Sequence, residues 1–497
     1  MSLLTSLRRR PAAPHDGWLA SESAVEARNQ APAPGPLEKW CLSRLSRALR
    51  GSPVRFQLWD GATSALAGET PIATVVIKDR RTLVGLLTQP AIEFGEAYTS
   101  GRLTVQGDLV ACLEGVNRAL SGRRYQRGGR YARPVSRADS RRNVRHYDLG
   151  NDFYRLWLDA DFVYTCAYYD RPDATLEDAQ HAKLEYVCRK LRLRPGERVV
   201  EAGCGWGALA LHMARHYGVT VRAYNISAEQ LEFAKARAAR EGLDHLVTFV
   251  GDDYRSIEER CDAFVSISML EHVGAAQYPT LGDVVDRVLD PDRGRGLLHF
   301  IGRNVPLEFN PWITRHIFPG AYAPTLAEVM DPILQRQNLS VVDVENLRLH
   351  YARTLQDWLT RFDEHAAAIG AMFDESFVRM WRLYLASAQS CFRSGDLQLF
   401  QVTFGRAADN SQPWTRDDLY ARPLNESPRE ESGSASAAAR ASGGGAPRAT
   451  KKCDVLIVGG GPAGSSCAWR LVDAGFDVVV LDKAPFPRDQ RDRSGIR

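Results

Sequence analysis

The sequence has no apolar run long enough to cross a membrane, and none of its cysteines are paired by spacing. No stretch approaches the roughly 18 consecutive apolar residues of a membrane span. Arg8, Arg9 and Arg10 stand near the start, but no apolar segment of about 7–15 residues follows them, so we expect no secretory signal. The nine cysteines lack a Cys-x-x-Cys pair, which argues for a reducing cytosol and against a disulfide scaffold or a zinc site. We therefore predict no metal.

The length of 497 residues predicts roughly three units at about 150 residues per domain. Hydrophobic residues make up 44% of the chain, which is enough for ordinary globular cores. Shifts in composition and periodicity predict a disordered arm (1–35), a small α+β domain (36–117), an arginine-rich linker (118–145), a main domain (146–422), a flexible linker (423–450) and a partial dinucleotide-binding βαβ segment (451–497).

The small domain shows a helical pattern over residues 37–49, followed by two short apolar segments. Residues 54–58 and 74–77 are typical of strands, with Asp60-Gly61 as a turn between them. Asp108 is a plausible cap for a further helix. Nothing in this domain carries obvious chemistry.

The stretch from 118 to 145 has ten arginines and the single acid Asp139, a local charge of +9. Such a run is either a solvated linker or an arm that contacts anionic lipid, where each basic group contributes about 1 kcal/mol. Nucleic acid suits the same charge, but the segment lacks a recognised binding fold, so we do not expect it as a partner.

A strand, a glycine turn and a helix follow one another at Arg198-Val199-Val200, at Gly203, Gly205 and Gly207, and at residues 208–217. In a doubly wound α/β sheet this succession forms the ligand crevice, and glycines let a ligand lie against bare backbone. Glu201 before the turn suits a cationic ligand better than a pyrophosphate, which favours S-adenosylmethionine. The alternative is a tight strand–helix turn without a ligand.

Beyond this turn strands and helices alternate, which predicts a parallel sheet with helices on both faces. Thr175 caps a helix over 176–191 with Asp178 in the capping box, and Ser227 caps another over 228–241 with Gln230. We predict further strands at 220–224, 247–250, 263–267 and 296–301, a mostly helical region over 354–393, and a closing edge strand at 399–404.

A second strand–turn–helix carries Gly459, Gly461 and Gly464, and Asp482 follows about 20 residues later. This is the dinucleotide fingerprint in its proper context. Only 15 residues follow Asp482, whereas a dinucleotide fold needs several βα units. We therefore expect that this segment does not hold FAD by itself.

Several motifs in the same order resemble the cyclopropane-fatty-acyl-phospholipid synthases and the related mycolic-acid methyltransferases. They are residues 146–154 (HYDLGNDFY), 164–168 (YTCAY), 201–207 (EAGCGWG) and 269–274 (MLEHVG), and the likeness extends from about residue 36 to 415. Residues 95–98 and 107–109 resemble the small N-terminal lipid-binding domain of that family. The last 47 residues separately resemble the start of flavoproteins of the geranylgeranyl-reductase type.

The resemblance implies a Rossmann-like S-adenosylmethionine methyltransferase fold that uses bound bicarbonate as the base. The implied catalytic cage is Cys166, Glu271, His299, Tyr351 and the backbone of Ile301. The implied cofactor residues are Tyr164, Thr165, Glu201, Gly203, Gly205, Gly207, Asn225, Gln230 and Asp253. Thr165 stands where serine is usual and keeps the hydroxyl, and Gln230 is expected to hold the ribose because no acid ends the second strand.

Each cage residue also has a purely structural interpretation. Cys166 suits a small buried filler, Glu271 suits a carboxylate at a helix N-terminus, and His299 suits a satisfied core histidine. Tyr351 is equally compatible with the core. The co-occurrence of all five residue types in family order favours the functional interpretation.

The chemistry fits such a cage. The methyl of a sulfonium is electrophilic, an alkene is a poor nucleophile, and the resulting cation needs aromatic faces and a base. We therefore expect cyclopropanation of cis double bonds in membrane phospholipids by a cytoplasmic enzyme at the inner face of the membrane. Alternatives are a methylene- or methyl-branched product made with a flavin reductase partner, and an inactive lipid-binding protein. A homodimer is retained as a candidate assembly.

Overall fold

The computed structural model describes residues 33–49, 51–64, 70–124, 149–420, 455–458, 462–476 and 478–481. The predicted arm and both predicted linkers lie almost wholly outside the described residues, as do His146, Gly459, Gly461 and Asp482. The chain divides into two compact units, residues 1–429 and 430–497. Among the described residues, no helix combines the length and apolar character needed to cross a membrane.

The first unit begins with a small α+β domain. Its helices are Pro36–Ala48 (α1), Arg80–Thr88 (α2), Pro90–Thr99 (α3) and Leu109–Arg124 (α4), and its strands are Val54–Gln57 (β1), Ala73–Ile77 (β2) and Leu103–Gly107 (β3). The sheet order is β1-β2-β3. Helix α4 continues to Arg124, so it covers the start of the predicted arginine-rich linker.

The turn at Asp60-Gly61 does not form a hairpin between β1 and β2. It closes a local bridge between Gln57 and Thr63, and the chain then returns so that β2 runs parallel to β1. A hairpin would have made the two strands antiparallel, so the turn at Asp60-Gly61 is present but does not make β1 and β2 a hairpin. The cap at Asp108 is confirmed, since its Oδ1 accepts the N–H groups of Val110 and Ala111.

The larger part of the first unit is built on a seven-stranded sheet in the order β6-β5-β4-β7-β8-β10-β9. Its strands are Arg198–Ala202 (β4), Thr220–Tyr224 (β5), Val247–Val250 (β6), Ala263–Ile267 (β7), Arg295–Gly302 (β8), Leu339–Asn346 (β9) and Gln398–Arg406 (β10). Strands β4 to β8 are parallel, whereas β10 runs antiparallel to both β8 and β9.

Two predictions about this sheet are wrong. The sheet is mixed rather than parallel, and β10 is an interior strand rather than the edge. Strand β10 is buried on both faces along nearly its whole length, as an interior strand requires, whereas the true edge strand β9 alternates between shielded and exposed residues. Four of the eight β9 residues are apolar, but no strand was predicted there.

Helices cover the sheet and extend beyond it. They are Asn151–Arg155 (α5), Leu176–Leu191 (α6), Ala208–Tyr217 (α7), Ala228–Arg240 (α8), Leu270–Val273 (α9), Tyr278–Val288 (α10), Pro311–His316 (α11), Leu326–Val329 (α12), Arg348–Glu364 (α13), Ala366–Met372 (α14), Glu375–Ser394 (α15) and Asp417–Tyr420 (α16). Short turns of 3-10 helix occur at Tyr254–Ser256, Ala275–Gln277 and Gln335–Gln337, and a π-helical turn occurs at Met330–Leu334. The caps predicted at Thr175 and Ser227 are both confirmed.

The chain order places a crevice at the carboxyl end of β4. From β4 the chain moves to β5 and β6 on one side, and then to β7 and β8 on the other. Such a reversal opens a cleft between the loops that follow the strands, and ligands of α/β sheets bind there.

The second unit contains the strands Val455–Val458 (β11) and Val478–Leu481 (β12), joined by the helix Pro462–Asp473 (α17). The two strands pair in parallel, so the described part of this unit is one βαβ motif. Gly464 lies in α17.

Candidate functional site

The three glycines of the turn after β4 have two different structural roles: two line a cavity, and one allows close packing. All three have positive φ, at 88° for Gly203, 53° for Gly205 and 84° for Gly207. Gly203 and Gly205 line a cavity of about 190 Å³. Gly207 does not line it, and a Cβ there would lie 2.7 Å from Phe249 Cζ. The first two glycines therefore expose backbone to a ligand, and the third lets α7 pack closely on the sheet.

This first cavity, which we call the cofactor cavity, collects the predicted cofactor residues other than Gly207. They are Tyr164, Thr165, Glu201, Gly203, Gly205, Asn225, Gln230 and Asp253. They come from the loop before α6, from the end of β4 and the glycine turn, from the loop after β5 with the first turn of α8, and from the loop after β6. The last three segments meet because the carboxyl ends of parallel strands share one edge of the sheet.

Glu201 offers a buried carboxylate to the cofactor cavity. Its side chain is 2% exposed and Oε2 has no hydrogen-bond partner. Burial raises its pKa to about 8, although the nearby Lys183 ammonium acts in the opposite direction. An unpartnered buried carboxyl suits a cationic ligand, because a positive charge supplies the interaction that burial has removed.

Lys183 is a site residue that the sequence reading missed. Its Nζ donates to Thr165 Oγ1 at 2.8 Å, and burial lowers its pKa to about 8. It stands in α6, a helix that is buried on almost every face. A lysine inside such a helix is unusual, and this was the signal that could have identified it.

Asn225 and Gln230 hold the far wall of the cofactor cavity together. Asn225 Nδ2 donates to the carbonyl of Gly205 at 3.1 Å and to Gln230 Oε1 at 2.8 Å. Asp253, in contrast, binds Arg255 with an N···O distance of 2.9 Å. Contact of Gln230 with a ribose stays a prediction.

A second cavity of about 640 Å³, which we call the apolar cavity, lies between the small domain and the seven-stranded domain. Its wall is mostly aliphatic and aromatic, and it includes Leu45, Phe56, Val75, Leu86, Phe94 and Leu113 from the small domain and Trp312, Phe318, Leu355, Tyr384 and Phe392 from the larger one. Tyr164, Ser268 and His272 line both cavities. The two cavities therefore adjoin at these three side chains.

Glu271 is a polar group in the wall of the apolar cavity. It lies at the start of α9 and is 4% exposed. Its Oε1 accepts the backbone N–H of Ile301 at 2.7 Å, while Oε2 has no partner. Burial raises its pKa to about 7, although the hydrogen bond from Ile301 acts in the opposite direction. In this structure the Ile301 N–H therefore orients Glu271.

The cage predicted from the sequence is divided between the cavity wall and the layer behind it. Glu271, Ile301 and Tyr351 line the apolar cavity. Cys166 and His299 are completely buried and are not among the residues that line either cavity. The positive charge of Lys183 acts on the Cys166 thiol and on the His299 ring. Burial raises the pKa of the Cys166 thiol, whose Sγ donates to the carbonyl of Ala167 at 3.2 Å.

A chain of hydrogen bonds fixes the protonation of His299. Lys190 Nζ donates to Gln401 Oε1 at 2.8 Å, so the Gln401 amide group presents its Nε2 to His299 Nδ1 at 3.1 Å. Nδ1 must then accept, and in the neutral ring the proton stands on Nε2, which has no partner. Burial keeps the pKa of His299 well below its ordinary value. His299 is thus held as a neutral N–H donor.

Aromatic rings surround the junction of the two cavities. The Tyr164 and Tyr384 hydroxyls lie 2.8 Å apart. The Tyr164 ring is 5.2 Å from the rings of both Trp157 and Trp358. Tyr164 and Tyr384 line the apolar cavity, so their rings can stabilise a cation there. Trp157 and Trp358, in contrast, are fully buried and pack against Tyr164 from behind. Tyr384 was missed because it lies on α15, far along the chain from the recognised motifs.

Ser268 is a further junction residue that the motifs did not indicate. Its φ is 56°, which is uncommon outside glycine, and its N–H donates to the carbonyl of His299 at 2.7 Å. Its hydroxyl is buried without a partner. Backbone strain of this kind is concentrated at functional sites.

Comparison with known families gives three matches along the chain. The model of the mycolic acid cyclopropane synthetase family matches residues 135–402. A model of an NAD(P)-binding Rossmann-like domain matches residues 457–488, and a domain of unknown function matches residues 41–121.

Individual relatives agree with the first match. A probable fatty acid methyltransferase of Pseudomonas putida is 36% identical over 395 residues, which is 76% of this chain and 100% of that protein. The cyclopropane-fatty-acyl-phospholipid synthase of Escherichia coli K12 is 42% identical over 266 residues, covering 53% of this chain and 68% of the relative. The structure of the mycolic acid cyclopropane synthase CmaA1, solved with SAH and CTAB, aligns with a TM-score of 0.50 at 31% identity, covering 53% of this chain and 97% of that one.

Proposed function

Because the chain belongs to the mycolic acid cyclopropane synthetase family and is an S-adenosylmethionine-dependent methyltransferase, we propose that it adds the methyl carbon of its cofactor across cis double bonds of phospholipid acyl chains. The observation that carries this proposal is the junction of the two cavities. A small cavity with an unpartnered carboxyl adjoins a large apolar one at Tyr164, Ser268 and His272.

The cofactor cavity suits S-adenosylmethionine. Glu201 supplies a buried acceptor for a cationic group, and Gly203 and Gly205 leave backbone bare beside it. The apolar cavity suits an acyl chain, because aliphatic and aromatic side chains surround a volume of about 640 Å³.

Two groups suit bicarbonate, which is at once a hydrogen-bond donor and an acceptor. Glu271 Oε2 is an unpartnered acceptor at the wall of the apolar cavity, and His299 Nε2 is an unpartnered buried donor behind it. Bicarbonate has an O–H that can donate to an acceptor such as Glu271 Oε2 and oxygens that can accept from a donor such as His299 Nε2. Cys166 and Tyr351 complete the proposed set.

When bound, S-adenosylmethionine supplies an electrophilic methyl and bicarbonate supplies a base. The chain's own residues then have three tasks. Glu271 would hold the base at the cavity wall with His299 as a donor behind it. The rings of Tyr164 and Tyr384 would stabilise positive charge on the acyl chain, and the buried wall would exclude water that could capture it. Overall the alkene gains a methyl and loses one proton, so the acyl chain gains one CH₂.

The test is direct. Purified protein is incubated with S-adenosylmethionine and vesicles of unsaturated phosphatidylethanolamine or phosphatidylglycerol, and the lipids are analysed by mass spectrometry. We expect acyl chains heavier by one CH₂, with no gain when the vesicles contain saturated lipid only. A protein that binds the cofactor but adds no CH₂ to any unsaturated lipid would contradict the proposal.

A second candidate product is a methylene- or methyl-branched chain. Its support is the relative named as a probable fatty acid methyltransferase and the Rossmann-like match at residues 457–488, which fits a reductase step. In that case the cation loses a neighbouring proton, and a flavin reductase would reduce the alkene. NMR of the product distinguishes the two outcomes, because ring protons appear only in the cyclopropane.

The substrate implies binding at a membrane surface. We propose that the enzyme acts peripherally on phospholipid bilayers from the cytoplasmic side. The inactive lipid-binding alternative is disfavoured, because Cys166, Glu271, His299 and Tyr351 are all present. Sedimentation with anionic and with zwitterionic vesicles tests the membrane association, and equal absence from both pellets would contradict it.

A further inference from the structure

Three histidines meet between α6 and α7, His212 buried and His181 and His216 half-buried, and none of them lines either cavity. His181 stands on α6, and His212 and His216 are one turn apart on α7. One donor atom from each ring lies within 4.8 Å of the others. The ring centroids are 4.5 Å apart for His212 and His216, and 5.2 Å apart for His181 and His212.

This geometry is close to that of a metal site. Two histidines at i and i+4 present their rings on one helix face, as in known zinc-binding helices. Zinc–nitrogen distances of about 2.0–2.1 Å put the donors of a tetrahedral site roughly 3.3 Å apart. Small side-chain rotations of the half-buried His181 and His216 would close the remaining gap.

The surroundings supply the carboxylate that metal-binding histidines usually have behind them. Glu185 Oε2 lies 3.4 Å from His212 Nε2, and its Oε1 accepts from Arg189 at 2.8 Å and from Tyr217 at 3.0 Å. A carboxylate fixed in this way orients the ring and raises its basicity as a ligand.

We propose that His181, His212 and His216 form a binding site for one late first-row divalent cation such as Zn²⁺, Ni²⁺ or Co²⁺, with Glu185 as the supporting carboxylate. Imidazole ligands select this class of metal. The ion would connect α6 to α7. Helix α6 carries Lys183 and Lys190, and α7 begins at the glycine turn, so the ion would brace two helices that border the cofactor cavity.

The lack of paired cysteines led to the prediction of no metal. That argument does not apply to this site, because its ligands would be imidazoles from two helices. His212 and His216 are visible as a His-x-x-x-His pair in the sequence. The third ligand lies 31 residues before His212 and is brought close only when the helices pack.

The experiment uses the full-length protein without a polyhistidine tag. Ni²⁺ and Co²⁺ are titrated by calorimetry, and the visible absorption of bound Co²⁺ reports its coordination. The variants are His216→Ala, His181→Gln and, as a matched control, the exposed His245→Ala. We expect one ion per chain for the parent and for His245→Ala, and at least a tenfold weaker affinity for the other two variants.

Melting temperature provides an independent readout. Because the ion should bind the folded chain preferentially, excess Ni²⁺ should raise the melting temperature of the parent and of His245→Ala, and should do so less for His216→Ala. Equal binding by the parent and His216→Ala would overturn the proposal. So would the lack of any one-to-one binding by the parent at micromolar metal.

Discussion

The most informative single residue is Glu271, whose carboxyl is buried with one oxygen free. Folding raises its pKa from the ordinary 4.5 to about 7, so the folded chain binds this proton more tightly than the unfolded chain does. The free energy of unfolding therefore falls as pH rises from about 4.5 to 7, and above pH 7 it falls no further on account of this group. A neutral side chain at this position would not ionise and would therefore avoid this loss of stability.

We predict that Glu271→Gln is more stable than the parent at pH 8 and almost inactive. The pKa shift of Glu271 corresponds to a gain of about 1–3 kcal/mol in the free energy of unfolding of the variant at pH 8. This gain should disappear near pH 4, where Glu271 of the parent is protonated. Urea unfolding at both pH values measures the gain, and lipid mass spectrometry measures the activity. The exposed Glu258→Gln is the control for which neither should change. Full activity of Glu271→Gln at every bicarbonate concentration would refute its place in the cage.

Gln401 is a positioning residue that acts through His299. Replacing it by Glu keeps the shape but places an acceptor opposite Nδ1, so the proton should move from Nε2 to Nδ1. We predict that Gln401→Glu lowers kcat by at least tenfold while KM for S-adenosylmethionine stays unchanged.

Nitrogen NMR of the His299 ring checks this prediction, because the two tautomers give different shifts. Gln401→Leu removes the hydrogen bond without supplying an acceptor, so it should lower kcat without reversing the tautomer. A Gln401→Glu enzyme with unchanged kcat would mean that the tautomer of His299 does not matter.

At the scale of elements, the turn between β4 and α7 combines two requirements in one short segment. A Cβ on Gly205 meets nothing within 4 Å, whereas a Cβ on Gly207 meets Phe249 Cζ at 2.7 Å and Ala234 Cβ at 3.0 Å. Gly205 therefore has open space beside it, on the side of the cofactor cavity, whereas Gly207 is required by the packing of α7 on the sheet.

We predict that Gly207→Ala destabilises the protein by about 2–4 kcal/mol, since positive φ and overpacking each cost about 1–3 kcal/mol. Gly205→Ala, which has strain but no clash, should lose about 1–2 kcal/mol and should weaken cofactor binding instead. Thermal unfolding and calorimetric titration with S-adenosylhomocysteine separate the two effects. Equal losses of stability would mean that the contact with Phe249 relaxes freely.

At the scale of the whole molecule, the apolar cavity exists only because the small domain packs against the larger one. Gly95 of α3 lies against Trp312 of α11, and a Cβ at residue 95 would come within 2.4 Å of the indole ring. Both residues line the cavity.

We predict that Gly95→Ala displaces Trp312 and raises KM for unsaturated phospholipid several-fold, while KM for S-adenosylmethionine is unchanged. Gly370→Ala is the matched control, because its added Cβ would make only an ordinary contact of 3.7 Å with Val378. Steady-state kinetics with vesicles measures both constants. If the phospholipid KM did not change, the acyl chain would have to bind elsewhere.

The sequence by itself determined the local elements, and it predicted eight of the residues that line the cofactor cavity. Glycine conformations, caps such as Thr175, and apolar periodicity act over a few neighbours, so they predicted α6, α7 and β5 to β7 to within a residue. They also predicted the start of β4, which continues two residues beyond the predicted end at Val200. The family motifs likewise indicated Glu201 and Glu271.

Only the tertiary structure decided the features that depend on distant segments. The antiparallel insertion of β10, the apolar cavity between the two domains and the chain from Lys190 through Gln401 to His299 each join residues far apart in sequence. No local pattern encodes them, because burial, pairing and tautomer are properties of the neighbours that folding brings into contact.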